Sequence, residues 1–370
     1  MSTIENEYVY ILLLIWLLVS WFGVNFLPQG VRKIVYFIVN YTILFFISAF
    51  RASDVGADTG AYLYAFQNID VVELDGFFET QLFHFEFGYI LLNKLLFLIN
   101  DNPQTILVAT SAITVIGMGY FFYKHSDNMY ISTVLFIGLY FYVQLFTPVR
   151  QSMALMLIMW ALASLWMGKR WHYVILILLA GSLHASSFVF LPFVLFAPLT
   201  KGKLVKICAV CGAFSIIFSF YGSALLIDVL DDEFKFYGYL VQAAENEGGH
   251  FGAATLQGIM CLIVAWFAWG ALKKKGENAG EVEVQKVLWL IFMMVTMFYM
   301  IMMSYSLGYL GRMTIDFYIF ICLLLPYAYQ QWRSYNKFYT YPLFIFLVAI
   351  YLIQAMSRDP MIVPYSSMLL

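Results

Sequence analysis

The sequence predicts an all-α polytopic membrane protein, and three observations predict it. Of 370 residues, 63% are apolar, 19% aromatic and only 11% charged. The mean hydropathy is +0.81. A water-soluble chain of this length needs far more charge to cover its surface. The apolar residues also fall in runs near the ~20 residues that carry a helix across a bilayer core. Finally, the basic residues cluster in the breaks that lie on one side of the membrane when those runs alternate.

The runs lie near 8–27, 34–50, 104–123, 130–147, 149–167, 172–184, 187–200, 204–221, 255–272, 287–308, 313–330 and 338–356. They predict about 12 transmembrane helices within a single integral membrane domain, 1–370. A further run from Phe87 to Ile99 is short and ends in Asn100-Asp101-Asn102-Pro103. It is expected to form a re-entrant or interfacial helix, allowed at membrane depth only where protein or water covers its backbone. No cleavable signal peptide is expected, because the first run is long and follows the acidic start Glu5 and Glu7.

With the N-terminus outside, the inner loops collect Arg32, Lys33, Lys124, Lys169, Arg170, Lys201, Lys203, Lys206, Lys273, Lys274, Lys275, Lys286, Arg333 and Lys337, out of 20 Lys and Arg in the chain. That asymmetry is the positive-inside pattern. The net charge of −2 says little beside it. Cys208, Cys211, Cys261 and Cys322 all sit within apolar runs. Cys208 and Cys211 lack the further His or Cys ligands that a metal needs, so all four are read as packing residues.

The exceptions to the charge rule point to a site. Arg51, Arg150 and Arg312 each lie within a residue or two of the outer end of a span. One arginine there can snorkel to the headgroups. Three of them against the charge bias, without flanking lysines, fit a shared anionic ligand, since the planar guanidinium offers paired donors and keeps its charge. Two outer segments could cover such a ligand. Residues 51–103 carry Asp54, Asp58, Asp70, Glu73, Asp75, Glu79 and Glu86 among Tyr62, Tyr64, Phe66, Phe77 and Phe78. Carboxylates beside aromatic faces suit a sugar, although a solvated loop with interfacial aromatics has the same composition. Residues 222–254, with their acids and Gly248-Gly249-His250, read as a lid whose chemistry is open.

His184 lies in Gly181-Ser182-Leu183-His184-Ala185-Ser186-Ser187. Twelve residues from His172 place it ~18 Å from the inner end of its run, in the outer half of the membrane. An ionisable residue there is a functional candidate, and a core histidine bonded to Ser182, Ser186 or Ser187 is the structural alternative. Asp316 shares a helix face with Arg312 and can pair with it. Glu86 opens the 87–99 run, where a carboxylate is either functional or a helix cap. There is no glycine-rich phosphate loop and no Asp-x-Asp pair for a metal-bound sugar nucleotide. If the chain transfers a sugar, its donor is therefore expected to be lipid-linked and to arrive through the membrane plane.

Arg51 with Val55-Gly56-Ala57-Asp58-Thr59 and Tyr62, then Glu86-Phe87-Gly88-Tyr89, Arg150-Gln151, Leu183-His184-Ala185-Ser186 and Gly311-Arg312 resemble the EpsG-type, Wzy-like polymerases of exopolysaccharide and O-antigen. The set occurs in the family's order over roughly residues 50–320. The resemblance implies a bacterial inner-membrane enzyme with a GT-C-like helical fold. Its substrates would be undecaprenyl-diphosphate-linked oligosaccharides joined on the outer face, with no metal, no cofactor and no nucleic acid. A flippase and a chain-length regulator would be possible partners beside the lipid bilayer. On this reading Arg150, Arg312 and Arg51 hold the diphosphate. His184 is the favoured base, Glu86 and Asp58 orient the acceptor, and Tyr62 and Gln151 contact sugar. A lipid-linked oligosaccharide flippase, or a non-catalytic member of an assembly complex, remains the alternative.

Overall fold

A computed structural model describes residues 9–72, 85–230, 251–306 and 309–335. Among them every regular element is helical. Seven helices are long and apolar enough to cross a membrane: Gln29–Ala49, Gln104–His125, Val149–Trp166, Lys201–Gly222, Ala254–Lys275, Glu281–Ser304 and Leu310–Arg333. Their outward faces are apolar. Val210, Phe220 and Trp266 are each at least 70% exposed, which water penalises and lipid tails accept. The chain is a multi-pass membrane protein.

Seven such helices against about twelve expected has an explanation in the breaks. The last expected span, 338–356, lies outside the described residues. The first appears as Val9–Val24, 16 residues. The 130–147 run becomes Met129–Gly138 and a single turn, Phe141–Gln144. Between them Tyr140 adopts φ 68°, a left-handed conformation that ends a helix whatever the hydropathy. The runs 172–184 and 187–200 become the 14-residue helix Arg170–Leu183 and a 3-10 segment, Ala185–Phe196. These two fold back on each other: the Tyr173 hydroxyl donates to the Phe190 carbonyl, and the Phe188 ring lies against Gly181. They form a hairpin with His184 at its tip. Fourteen residues rise only ~21 Å, so each arm is shorter than a ~30 Å hydrocarbon core.

The described residues fall into two compact units. One holds the chain up to Ser164 together with Arg170–Val194, and so contains the hairpin and its tip. Polar pairs lock its helices in register. Tyr41 pairs with Thr133, Ser48 with Ser111, and the Tyr142 hydroxyl donates to the Leu44 carbonyl. The other unit holds Leu165–Lys169 and, among the described residues, the chain from Leu195 to Tyr335. There the Gln285 amide both accepts from and donates to the Leu199 backbone, and Trp332 donates its indole N–H to the Phe267 carbonyl.

Within the first unit, the Arg51 to Thr59 segment is a lock. Arg51 is 2% exposed. Its guanidinium donates to the Ser48 carbonyl at 2.7 Å, to Thr59 Oγ1 at 3.3 Å and to the Phe146 carbonyl at 3.4 Å, and it lies 5.0 Å from the centre of the Phe146 ring. Gly56, at φ +93°, brings the turn against the Phe146 carbonyl, where a Cβ would stand 2.9 Å from that oxygen. Gly56→Ala is expected to lower stability by about 1–3 kcal/mol, since the left-handed backbone alone costs that much. A thermal scan of the detergent-solubilised protein, followed by the monodisperse fraction surviving each temperature, reads the loss. An unchanged midpoint would mean that the turn relaxes freely.

Candidate functional site

The 87–99 run forms the helix Phe87–Ile99, with Glu86 at its N-cap position. Glu86 does not cap its own helix. Its carboxylate reaches across to two other elements. Oε1 accepts from His184 Nδ1 at 3.2 Å and from the Ala185 backbone N–H at 3.0 Å, both at the hairpin tip. Oε2 forms an ion pair with Arg150 Nη1, in the first turn of Val149–Trp166. The side chains of Glu86, His184 and Arg150 are 11%, 20% and 21% exposed. Three groups from motifs 64 and 98 residues apart thus converge in one half-buried cluster.

The local sequence explains the convergence. Gly88 lets the Phe87–Ile99 helix sit directly on the hairpin, since a Cβ there would lie 2.7 Å from the Ser182 carbonyl oxygen. Tyr89, fully buried, and Phe85 pack edge-to-face with centroids 5.2 Å apart. Tyr62 stacks on Phe85 and meets Tyr89 edge-on. The Phe85 ring also lies 4.6 Å from the Arg150 guanidinium, a cation–π contact that fixes the plane of the fork. Ile106, Leu107 and Val149 close the same core, with Leu183 against it. The serine-rich stretch after Gly181 competes for backbone hydrogen bonds, and the helix ends at Leu183.

Burial acts against the charge on Glu86. The His184 hydrogen bond, the Arg150 charge and the Ala185 N–H outweigh it and hold the carboxyl at about 2, below its ordinary 4.5. Its partners therefore favour the ionised form, in which the carboxylate accepts from all three donors. A carboxylate can only accept, so the nitrogen facing it must be the donor: His184 carries its proton on Nδ1. That leaves the Nε2 lone pair as the basic position when the ring is neutral. Arg150 retains spare donors. Among the described residues its buried Nε has no hydrogen-bond partner, a state that is costly unless a ligand relieves it.

The cluster brings together Glu86, Arg150 and His184 from the expected set, with Tyr62 beside Arg150. Tyr62 is 5% exposed, and with Phe85 and Tyr89 packed on its ring it has no free face of the kind a sugar would stack on. Asp58 is exposed at the start of Thr59–Gln67 and does not cap that helix. Gln151 is buried next to Arg150. Arg51 is spent on the turn lock already described. Arg312 lies in the other unit with an exposed side chain, and Asp316 on the same helix is buried. His184 bonds to Glu86, and the Ser186 and Ser187 hydroxyls have no hydrogen-bond partner among the described residues. The second half of the first acidic loop, 73–84, and the core of the expected lid, 231–250, lie outside the described residues.

Three contributors were given no role by the sequence, although Gly88 and Ala185 stand within the quoted motifs. Phe85 is one of 36 phenylalanines, and only its place beside Glu86 marks it. Gly88 and the Ala185 N–H act through backbone geometry, which composition does not reveal.

The EpsG family, a family of Wzy-like polysaccharide polymerases, matches the chain over residues 34–367. No curated protein and no solved structure matches it.

Proposed function

We propose, since this chain belongs to the EpsG family, that it polymerises undecaprenyl-diphosphate-linked oligosaccharide repeats on the outer face of a bacterial inner membrane. A GT-C-like helical frame would hold the two lipid-linked substrates. The observation that carries the reading is the meeting of Glu86, Arg150 and His184 in one half-buried cluster. A hydroxyl of the acceptor sugar attacks the anomeric carbon of the growing chain. The new C–O bond forms as the bond to the diphosphate breaks. The electron pair leaves with undecaprenyl diphosphate, and the hydroxyl proton passes to His184 Nε2.

Arg150 is the diphosphate ligand in this reading. Donors preorganised where negative charge develops lower the barrier most when they sit out of bulk water, and the Phe85 ring and Glu86 hold Arg150 in such a place. The charge that other transferases meet with a metal falls here to arginine. Arg51, bonded to the Ser48 and Phe146 carbonyls and to Thr59 Oγ1, shapes the turn that leads to Asp58, and Asp58 and Gln151 remain candidates for the acceptor sugar. An outer-surface product calls for a flippase to deliver the repeats and a chain-length regulator to end the polymer.

The test is a reconstitution. Lipid-linked repeats extracted from a strain lacking the polymerase are supplied to proteoliposomes of the purified protein, with EDTA present. The expected result is a ladder of glycan lengths together with free undecaprenyl diphosphate. Movement of the lipid across the bilayer without new glycosidic bonds would replace this reading with the flippase.

A further inference from the structure

The structure assigns Glu86 to a positioning role: it acts on the reaction through His184 and Arg150 rather than on the acceptor sugar. This rests on the reading of His184 as the base. Both carboxylate oxygens are already committed, Oε1 to His184 Nδ1 and the Ala185 N–H, and Oε2 to Arg150. Three protein donors take three of the carboxylate's roughly four acceptor positions, and all three come from the groups that carry the proposed chemistry or stand next to them.

The arrangement has a physical purpose. The contact to Nδ1 fixes the tautomer and leaves Nε2 to accept the proton, and an anion behind the ring stabilises the imidazolium that forms. The Ala185 N–H holds the same oxygen, so the carboxylate cannot turn away from the ring without giving up a backbone hydrogen bond at the start of the 3-10 segment. The ion pair to Arg150 ties the base to the proposed diphosphate ligand through one carboxylate, setting their separation. Around His184 the charged and titratable groups are Glu86 and Arg150, with Tyr62 behind Arg150 and Asp58 at the start of the Tyr62 helix.

The experiment compares Glu86→Gln, Glu86→Asp and His184→Ala in the proteoliposome assay, with extracted lipid-linked repeats as substrate, across pH. Glutamine keeps the shape and removes the charge. For Glu86→Gln the expected result is a fall in kcat of at least about 10²-fold, with KM for the lipid-linked repeat little changed. The acidic limb of its pH profile is expected to move to lower pH, because removing a neighbouring anion makes the imidazole less basic. Glu86→Asp should keep the limb near its wild-type position and recover part of the rate. Diethyl pyrocarbonate modification of His184 at graded pH, read by peptide mapping on monodisperse protein, provides a second reading that needs no turnover. The half-modification pH should fall in Glu86→Gln and hold in Glu86→Asp.

A raised KM with the limb unmoved would place Glu86 on the sugar and overturn the proposal. So would an unchanged limb in a variant whose rate has fallen, since a structural role lowers rate without moving the titration. If His184→Ala itself keeps wild-type activity, the base reading fails first and independently of Glu86.

Discussion

Arg150→Lys is expected to abolish most polymer synthesis while the protein still folds and accumulates. Lysine keeps one positive charge near Glu86, so the buried carboxylate retains a counter-ion and the cluster is spared an unpaired anion. It loses everything else that the guanidinium does. The flat contact with the Phe85 ring goes, and so do the fork and the Nε donor that has no partner among the described residues. A point charge on a flexible stem does not replace two fixed donors at a diphosphate. Loss of one preorganised donor of this kind costs about 10²–10³ in rate. Initial rates in proteoliposomes, at equal amounts of monodisperse protein, measure it. Wild-type rates from Arg150→Lys would remove Arg150 from the transition state and leave it as the partner of Glu86. Arg150→Ala is the less informative variant, because it also strands Glu86.

Much of this fold is legible in the sequence, and the illegible parts share one cause. Apolar run length finds the seven long helices because a spanning helix must satisfy its own backbone over ~20 residues. It finds the Phe87–Ile99 helix with its bounds intact because Glu86 and Asn100-Asp101-Asn102-Pro103 punctuate it. Hydropathy cannot see a break inside apolar sequence. Tyr140 turns left-handed between two apolar segments, and Ala185–Phe196 winds as a 3-10 segment folded back on its neighbour. Neither changes the mean hydropathy of its run. The same blindness applies to the site. The arginines at the rim stand out by violating the charge asymmetry, yet that signal does not separate them. Arg51 is tied to carbonyls of its own unit and Arg150 to a carboxylate. What distinguishes them is which partner lies across the fold, a fact carried by 64 and 95 residues of separation rather than by local pattern.

His184→Ala separates polymerisation from transport. Removing the hairpin-tip imidazole takes away a proton acceptor and leaves the Arg150–Glu86 ion pair and the Ala185 N–H contact in place. Lipid binding should therefore survive. Attack by the acceptor hydroxyl slows by about 10²- to 10⁴-fold, the usual worth of a general base. In cells this turns long polymer into mostly single repeats, still delivered to the outer surface and displayed there. The measurement is the length distribution of surface polysaccharide at matched protein level. A ladder collapsed to one unit is the expected result. An unchanged ladder would return His184 to the role of a tip residue that merely ties the hairpin to Glu86. Loss of single units together with polymer, with repeats held on the inner leaflet, would move the whole protein from polymerase to transporter, because a missing base has no means of stopping delivery.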